Sequence, residues 1–435
     1  MSDTATPLSR HQWLPFTPNR DFLEDPKLFS RASGICYYDD QGREILDGVS
    51  GLFTCPAGHG RKEIATAVYE QVLSLDFTPS FLRSHSKAFE LADVIAGLLP
   101  PSLNKIFFVG SGSESIDTAL KIALAYHRAR REGSRSMFVS RERSYHGVNF
   151  GGVALSGLVN NRRTFGVPAL PVVHMRHTWT GKDLFKQGQP EHGAELADDL
   201  LRLIQLHGAE NIAACIVEPI AGSTGVLVPP VGYLERLRTI CDQHGVLLIF
   251  DEVICGFGRT GKPFAAQSFG VTPDIVTMAK AITNGCVPMG AVAVSEAVYN
   301  TIIDAAPDGN IEFFHGYTWS AHPVACAAAL ASQKIFREES LFDKASTLSS
   351  VFLDALFSLQ GTPGVLDIRG YGMLGAVDID PAVVGMDGYT IQKRLFESGL
   401  HIKPTGNTLI FAPPFISSAE EVQRMISICR EAITT

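Results

Sequence analysis

Between about residues 63 and 310 the chain alternates between two hydrophobic patterns. Short continuous apolar runs at 104–109, 136–140, 212–218, 246–251, 274–278 and 289–294 are separated by stretches of helical character. An apolar run bounded by turn residues predicts a strand buried on both faces. Strands alternating with helices predict a mostly parallel sheet covered on both sides. Both ends of the chain differ from this middle. Residues 1–35, rich in Pro, Arg and Phe, read as an arm that packs on something else. Residues 36–62 read as a small β-meander turning at Asp39–Gly42, and 320–338 as an Ala-rich helix. Residues 365–380 and 399–412 alternate like strands of an antiparallel sheet, and Ser418 to Glu421 form a capping-box pattern before a final amphipathic helix. The expected organisation is an arm and part of a smaller α+β domain at 1–62, a large α/β domain at 63–319, and the rest of the smaller domain at 320–435.

Composition narrows the class. The chain has 435 residues, 45% hydrophobic and 19% charged, enough for two domains and a large core. A net charge of −8 argues against a nucleic-acid partner. No apolar run approaches a membrane span, and the N-terminus lacks a basic stretch followed by an apolar core, so a cytoplasmic location is expected. The eight cysteines show no C-x-x-C spacing; they read as small buried thiols, with no zinc or other metal site expected.

Candidate chemistry lies at the ends of two apolar runs. Val246–Phe250 leads into Asp251, and Ile275–Ala279 leads into Lys280. Ligand sites on open α/β sheets lie at the carboxyl ends of strands, so one carboxylate and one primary amine are expected at the same sheet mouth. A pyridine-based electron sink needs both groups, the amine to attach its aldehyde and the carboxylate to keep its ring nitrogen protonated. Gly110-Ser111-Gly112-Ser113 joins an apolar strand to a helix of good formers, where free amides and the helix dipole can hold a phosphate. No Gly-Lys-Ser/Thr follows, so the loop is not of the Walker type. Tyr145 could stack on a flat ring, Val253 could pack on the opposite face, and Glu218 adds a second carboxylate at the strand end. The run 314–318 is polar and aromatic in an apolar neighbourhood, which marks a functional loop. Gly256-Phe257-Gly258-Arg259-Thr260-Gly261 matches the bare dinucleotide pattern, but Pro263 comes at once after it and no helix opens there.

These motifs, in this order, resemble the class III aminotransferases, a family of fold type I enzymes that use pyridoxal 5′-phosphate. The resemblance rests on the Gly110–Ala119 stretch, Tyr145-His146-Gly147, Glu218-Pro219-Ile220, Asp251–Gly261, Ala279-Lys280 followed by Asn284–Gly290, and His315–Pro323. Trp13–Arg20, Ser50–Cys55 and Tyr145–Gly152 resemble the ω-amino acid:pyruvate (β-alanine:pyruvate) branch. The resemblance implies a seven-stranded, mostly parallel sheet and a transaminase that moves an amino group from an ω-amino acid or primary amine to a keto acid such as pyruvate. It implies that Lys280 holds the cofactor and acts as general base, and that Asp251 pairs with the ring nitrogen. Gly112 and Ser113 then cup the phosphate, with Tyr145 and Val253 on the two ring faces and Glu218 beside them. Thr318 would reach the phosphate of a neighbouring subunit, making a homodimer obligatory, with a tetramer also open.

The substrate pocket would include Phe53, Ser223 and Lys403. Two positions depart from the branch. Phe53 stands where tryptophan is usual, and Lys403 stands where an arginine commonly meets the keto-acid carboxylate. Lysine cannot form the planar two-bond fork; Arg162 or Arg163 are alternative carboxylate partners. An aminomutase, racemase or decarboxylase on the same fold fits the same motifs, and a nicotinamide-dependent dehydrogenase is a further, weaker alternative.

Overall fold

The computed structural model describes residues 11–166 and 169–434. Seven strands form the central sheet, in the spatial order Lys105–Val109, Gly290–Val294, Ile275–Met278, Leu247–Asp251, Ile212–Val217, Met137–Arg141, Val172–Met175. Gly290–Val294 runs antiparallel to both of its neighbours, and the remaining pairs are parallel. Every residue of the four strands from Gly290–Val294 to Ile212–Val217 is buried. That is why these strands are continuously apolar rather than alternating. The sheet is of the expected fold type I, α/β kind.

Six of the seven strands coincide with the predicted runs. The seventh, Val172–Met175, has no counterpart among them; it is a four-residue edge strand, only its last residue fully buried, with His174 breaking the apolar signal.

A four-stranded antiparallel sheet is built from Val365–Tyr371, Leu374–Ile379, Thr408–Phe411 and Lys403–Thr405. A second small sheet joins Phe29–Ser33, Cys36–Asp39 and Glu44–Asp47 to Leu400–His401, the last pair parallel. Two expectations are corrected here. The meander begins at Phe29, inside the segment read as an arm, and ends at Asp47, beyond which the chain turns helical. Residues 399–412 do not form one ladder: Leu400–His401 pairs with the N-terminal strands, and only Lys403–Thr405 and Thr408–Phe411 join the C-terminal sheet. The first ten residues of the expected arm lie outside the described residues; Trp13 and Phe16 are exposed.

Local signals behave as their chemistry requires. Asp39 Oδ1 accepts from the Gln41 and Arg43 amides at 3.0 and 2.8 Å and closes the predicted turn. The Ala-rich helix starts at Pro323 rather than 320, because proline at the first helical position cannot donate and needs no partner there. Ser418 and Glu421 exchange both capping-box hydrogen bonds, at 2.7 and 3.2 Å. Six cysteines are buried as expected, but Cys55 is half-buried and Cys286 exposed. No helix among the described residues is long and apolar enough to cross a membrane.

Behind the sheet mouth, Glu252 is fully buried and caps the Ala265–Phe269 helix, accepting from the Ala265 and Ala266 amides at 2.6 and 2.8 Å. Burial pushes its carboxyl up to about 7 from an ordinary 4.5, even though those two amides favour the ionised form. The folded-state value exceeds the unfolded one. As pH rises from 4.5 to 7 the unfolded chain therefore releases a proton that the folded chain retains, and folding stability is lost. Glu252→Gln removes this contribution. The stability of the variant relative to the parent should rise by up to about 3 kcal/mol between pH 5 and pH 8. Chemical denaturation at the two pH values measures the difference, and a constant difference contradicts it.

Candidate active site

Asp251 and Lys280 meet because their strands are neighbours. Leu247–Asp251 and Ile275–Met278 run parallel, with Asp251 opposite Thr277. Past Met278 the chain turns sharply, and Lys280 adopts a left-handed φ of 47°. Asp251 is buried and firmly held: Thr277 Oγ1 and the Val253 amide donate to Oδ1 at 3.2 and 3.1 Å, and His146 Nδ1 lies 2.7 Å from Oδ2. His146 is itself buried, and its Nε2 has no hydrogen-bond partner among the described residues. Burial lowers the Lys280 amine to about 8 from 10.5, against the pull of the Asp251 and Glu218 charges. A neutral amine is thereby accessible near neutral pH.

Glu218 sits one strand over. Its Oε1 accepts from the Tyr145 amide at 3.0 Å, and Arg141 donates to its main-chain oxygen at 2.8 Å. Burial pushes its carboxyl up to about 7; His146 and Arg141 favour the ionised form and Asp251 disfavours it. The Tyr145 hydroxyl is raised by burial, and further by the charges of Asp251 and Glu218.

The glycine-serine loop opens the helix Gly112–Ala129. Ser111 accepts from the Glu114 amide at 3.2 Å, and Glu114 accepts from the Gly110 amide at 2.6 Å. The Gly112 and Ser113 amides lie in the first turn, where a helix offers them no partner. A Cβ on Gly112 would stand 3.1 Å from Val253, so the loop and Val253 face each other closely. Ser113 Oγ accepts from the Val148 amide at 3.0 Å and keeps its own proton to donate.

Phe53 is buried, with a left-handed φ of 62°, and its ring centroid lies 5.5 Å from Lys280 Nζ. Lys403 Nζ donates to the Ser223 main-chain oxygen at 3.2 Å and to Thr405 Oγ1 at 2.8 Å, and Thr405 donates to the same Ser223 oxygen at 2.7 Å. It is therefore the carbonyl of Ser223 that meets Lys403. Burial, and then the Lys280 cation, lower Lys403 to about 8, while Glu218 opposes the shift. Lys403 is half-buried, its ammonium tied to the Ser223 and Thr405 oxygens. Arg162 and Arg163 are engaged elsewhere, Arg162 with the Ala154 and Ser156 carbonyls and Arg163 with Asn160. Thr318 is exposed, on a loop held to the sheet edge by His315, which stacks on Phe107 and bonds Thr118.

Three contributors carry no signal of their own in the sequence: His146, Thr277 and Thr405. His146 stands inside a recognised motif, but nothing in the sequence pairs it with Asp251. The loop Gly256–Gly261 opens no helix; buried Arg259 donates to the Ala412 and Pro413 carbonyls at 3.1 and 2.8 Å, so the loop is a joint to the C-terminal segment.

A buried amine able to lose its proton, a fixed carboxylate one strand away, a buried imidazole nitrogen left free and a phosphate-sized cradle fit pyridoxal 5′-phosphate, the cofactor of fold type I enzymes. The aminotransferase class-III family model matches residues 22–433, and the chain belongs to that family of pyridoxal-phosphate-dependent aminotransferases. It is 49% identical to the omega-aminotransferase of Caulobacter vibrioides, covering 97% of this chain and 96% of the relative. It is 47% identical to the beta-alanine–pyruvate aminotransferase of Pseudomonas aeruginosa, covering 98% and 95%. The structure superposes on a PLP-bound amine transaminase from an uncultivated Pseudomonas species with a TM-score of 0.90 at 32% identity, covering 99% of each chain.

Gly147 has a φ of 86°, and a Cβ there would stand 2.5 Å from Ser113 Oγ and 2.9 Å from its Cα. Gly147→Ala should add about 1–3 kcal/mol of strain at the cradle and weaken cofactor retention by about tenfold or more. Cofactor absorbance after gel filtration reads the loss; retention equal to the parent's contradicts the cradle.

Proposed function

We propose that the protein transfers the amino group of an ω-amino acid or primary amine, with β-alanine as the first candidate, to pyruvate. The observation that carries this reading is the second ammonium group. Lys403, half-buried and bonded to the Ser223 oxygen and Thr405 Oγ1, has its pKa lowered first by burial and then by the Lys280 charge, which supports a second cation near the reacting amine for a substrate carboxylate. The activities for which the two relatives above are named agree with it.

In this reading Lys280 is the catalytic base and the cofactor's point of attachment. Asp251 keeps the pyridine nitrogen protonated, with His146 and Thr277 holding the carboxylate in place. Gly112 and Ser113 take the phosphate, Tyr145 and Val253 flank the ring, and Glu218 supports the Tyr145 segment. When bound, the cofactor supplies an electron sink for the carbon that loses its proton. Lys280 Nζ would take that proton and return it two bonds further along, to the cofactor's carbon, and its lowered pKa suits both steps. Phe53 and the Ser223–Lys403 pair wall the substrate pocket. Donor and acceptor use the same pocket in turn, giving ping-pong kinetics.

The functional unit in this reading is a homodimer in which Thr318 serves the partner's phosphate site. Exposed Trp13, Phe16, Phe314 and Trp319 supply apolar surface for such an interface. A cytoplasmic location agrees with eight cysteines that are all free.

The direct test is incubation with β-alanine and pyruvate, then a panel of ω-amino acids and primary amines, with alanine formation as the readout. No alanine from any donor overturns the reading. Lys280→Ala should abolish multiple turnover, and near-normal steady-state activity of the purified variant contradicts the role of Lys280. Lys403→Arg should lower the KM for pyruvate a few-fold through the two-bond fork, and Lys403→Ala should raise it by about tenfold. Unchanged KM in both variants removes Lys403 from acceptor binding.

A further inference from the structure

The turn that carries Phe53 is bent against the preference of its own residues. Ser50, Gly51 and Phe53 are all left-handed, with φ of 48°, 70° and 62°. Glycine adopts that form freely, whereas serine and phenylalanine do so only under strain. The turn is also tightly packed: a Cβ on Gly51 would stand 2.9 Å from Thr54 Oγ1 and 3.1 Å from the Tyr37 hydroxyl. Such a backbone persists only where other contacts impose it. Some of those contacts come from a buried pair, Asp47 and His59, for which the transamination chemistry itself has no use.

Asp47 ends the strand Glu44–Asp47, where its amide donates to the Ile35 carbonyl at 2.8 Å and fixes its main chain. Its side chain is fully buried. Oδ1 accepts from the Val49 amide at 3.1 Å, and Oδ2 accepts from the Gly51 amide at 2.6 Å. A buried carboxylate needs more than two amides to offset its lost hydration. His59 supplies the third donor, its Nε2 lying 2.8 Å from Asp47 Oδ2. His59 is fixed in turn. Its amide donates to the Gly34 carbonyl at 2.7 Å, its carbonyl accepts from the Gly34 amide at 3.2 Å, and its ring packs on Tyr37 with centroids 4.4 Å apart. The grip passes directly to the pocket wall. Val49, held through its amide, accepts at its carbonyl from the Phe53 amide at 2.9 Å, and the Phe53 ring centroid lies 5.5 Å from Lys280 Nζ.

We propose that Asp47 and His59 are positioning residues: together they hold the turn 49–53 in its strained form, keep the Phe53 ring beside Lys280 and so limit the size of the amine donor. The part that concerns the donor rests on the transamination proposed above. Without the His59 donor the buried carboxylate lacks a partner, and its hold on the Val49 and Gly51 amides weakens. The turn then relaxes toward ordinary backbone angles. The Phe53 ring leaves its place beside the reacting amine, and a donor with a bulky group on the reacting carbon gains room.

The test compares the parent holoenzyme with His59→Leu and His59→Gln. Hydrogen exchange at the Val49 and Gly51 amides, read by mass spectrometry, should be about tenfold faster in His59→Leu, with the strand Leu247–Asp251 unchanged. His59→Gln keeps a donor of similar reach and should restore the parent rate. Donor size is read as kcat/KM for 1-phenylethylamine divided by that for β-alanine. His59→Leu should raise this ratio by about tenfold. Phe53→Ala should raise it too, and adding His59→Leu to Phe53→Ala should raise it no further. His59→Asn, whose amide falls short of Asp47, takes the place of His59→Leu if that variant does not fold. Unchanged exchange at Val49 and Gly51 overturns the proposal, as does equal acceleration across the central sheet. A ratio that His59→Leu leaves unaltered, or still shifts in the Phe53→Ala background, overturns it as well. Exchange is read without substrate, so if the parent transfers no amino group, the exchange arm alone decides whether the pair holds the turn.

Discussion

The pairing of two buried parallel strands, Leu247–Asp251 and Ile275–Met278, is the constraint on which the rest of the site depends. Parallel register places Asp251 opposite Thr277, and the turn after Met278 brings Lys280 back over the same sheet edge. Once an ionisable carboxylate sits on a strand with no exposed residue, it needs partners or it is costly. Thr277, the Val253 amide and His146 are those partners. They also fix where the carboxylate points, which an electron-sink cofactor requires.

Charge is arranged around that fixed anion with little water to screen it. Lys280 and Lys403 are both lowered to about 8 and Glu218 is raised to about 7, each chiefly by burial. Groups poised near neutrality can change protonation state at small cost, and such groups cluster where protons are moved. The Lys280 charge adds to burial in lowering Lys403. The main-chain oxygen of Ser223 and Thr405 Oγ1 occupy part of the Lys403 donor set and hold its otherwise flexible stem in one direction.

The central sheet was legible in the sequence because strands buried on both faces must be continuously apolar, and Asp251 and Lys280 stood out as polar residues ending such runs. Val172–Met175 was not legible because an edge strand of four residues, with His174 in the middle, carries no such run. Residues 399–412 read as one antiparallel ladder because period-two alternation is the same in either small sheet. Tertiary contacts divide them: the Gly48 amide donates to the His401 carbonyl at 2.8 Å, while Lys403 pairs with Ile410. The His146–Asp251 contact spans 105 positions, and the desolvation of Lys403 comes from segments remote in the chain; neither leaves a local mark. The exposure of Cys286 escaped for the same reason, since the residues around it in sequence are apolar.

The same C-terminal segment carries Lys403 and fixes the turn that carries Phe53. Before Lys403, His401 receives the Gly48 amide; after it, the Ala412 amide donates to the Gly48 carbonyl at 2.8 Å, and the Ala412 carbonyl accepts Ser50 Oγ at 2.8 Å. These bonds bracket the turn whose left-handed Ser50 and Phe53 put the Phe53 ring beside Lys280. Buried Arg259 adds a third tie by donating to the Ala412 and Pro413 carbonyls. Strained backbone persists only where its surroundings over-determine it, and here the surroundings are the residues that flank 402–411, His401 on one side and Ala412 on the other. Lys403 and Phe53 are therefore not independent positions. A change that shifts 403–412 moves Phe53 as well, so the pocket should adapt to new substrates more readily by side-chain replacement than by any insertion in this segment.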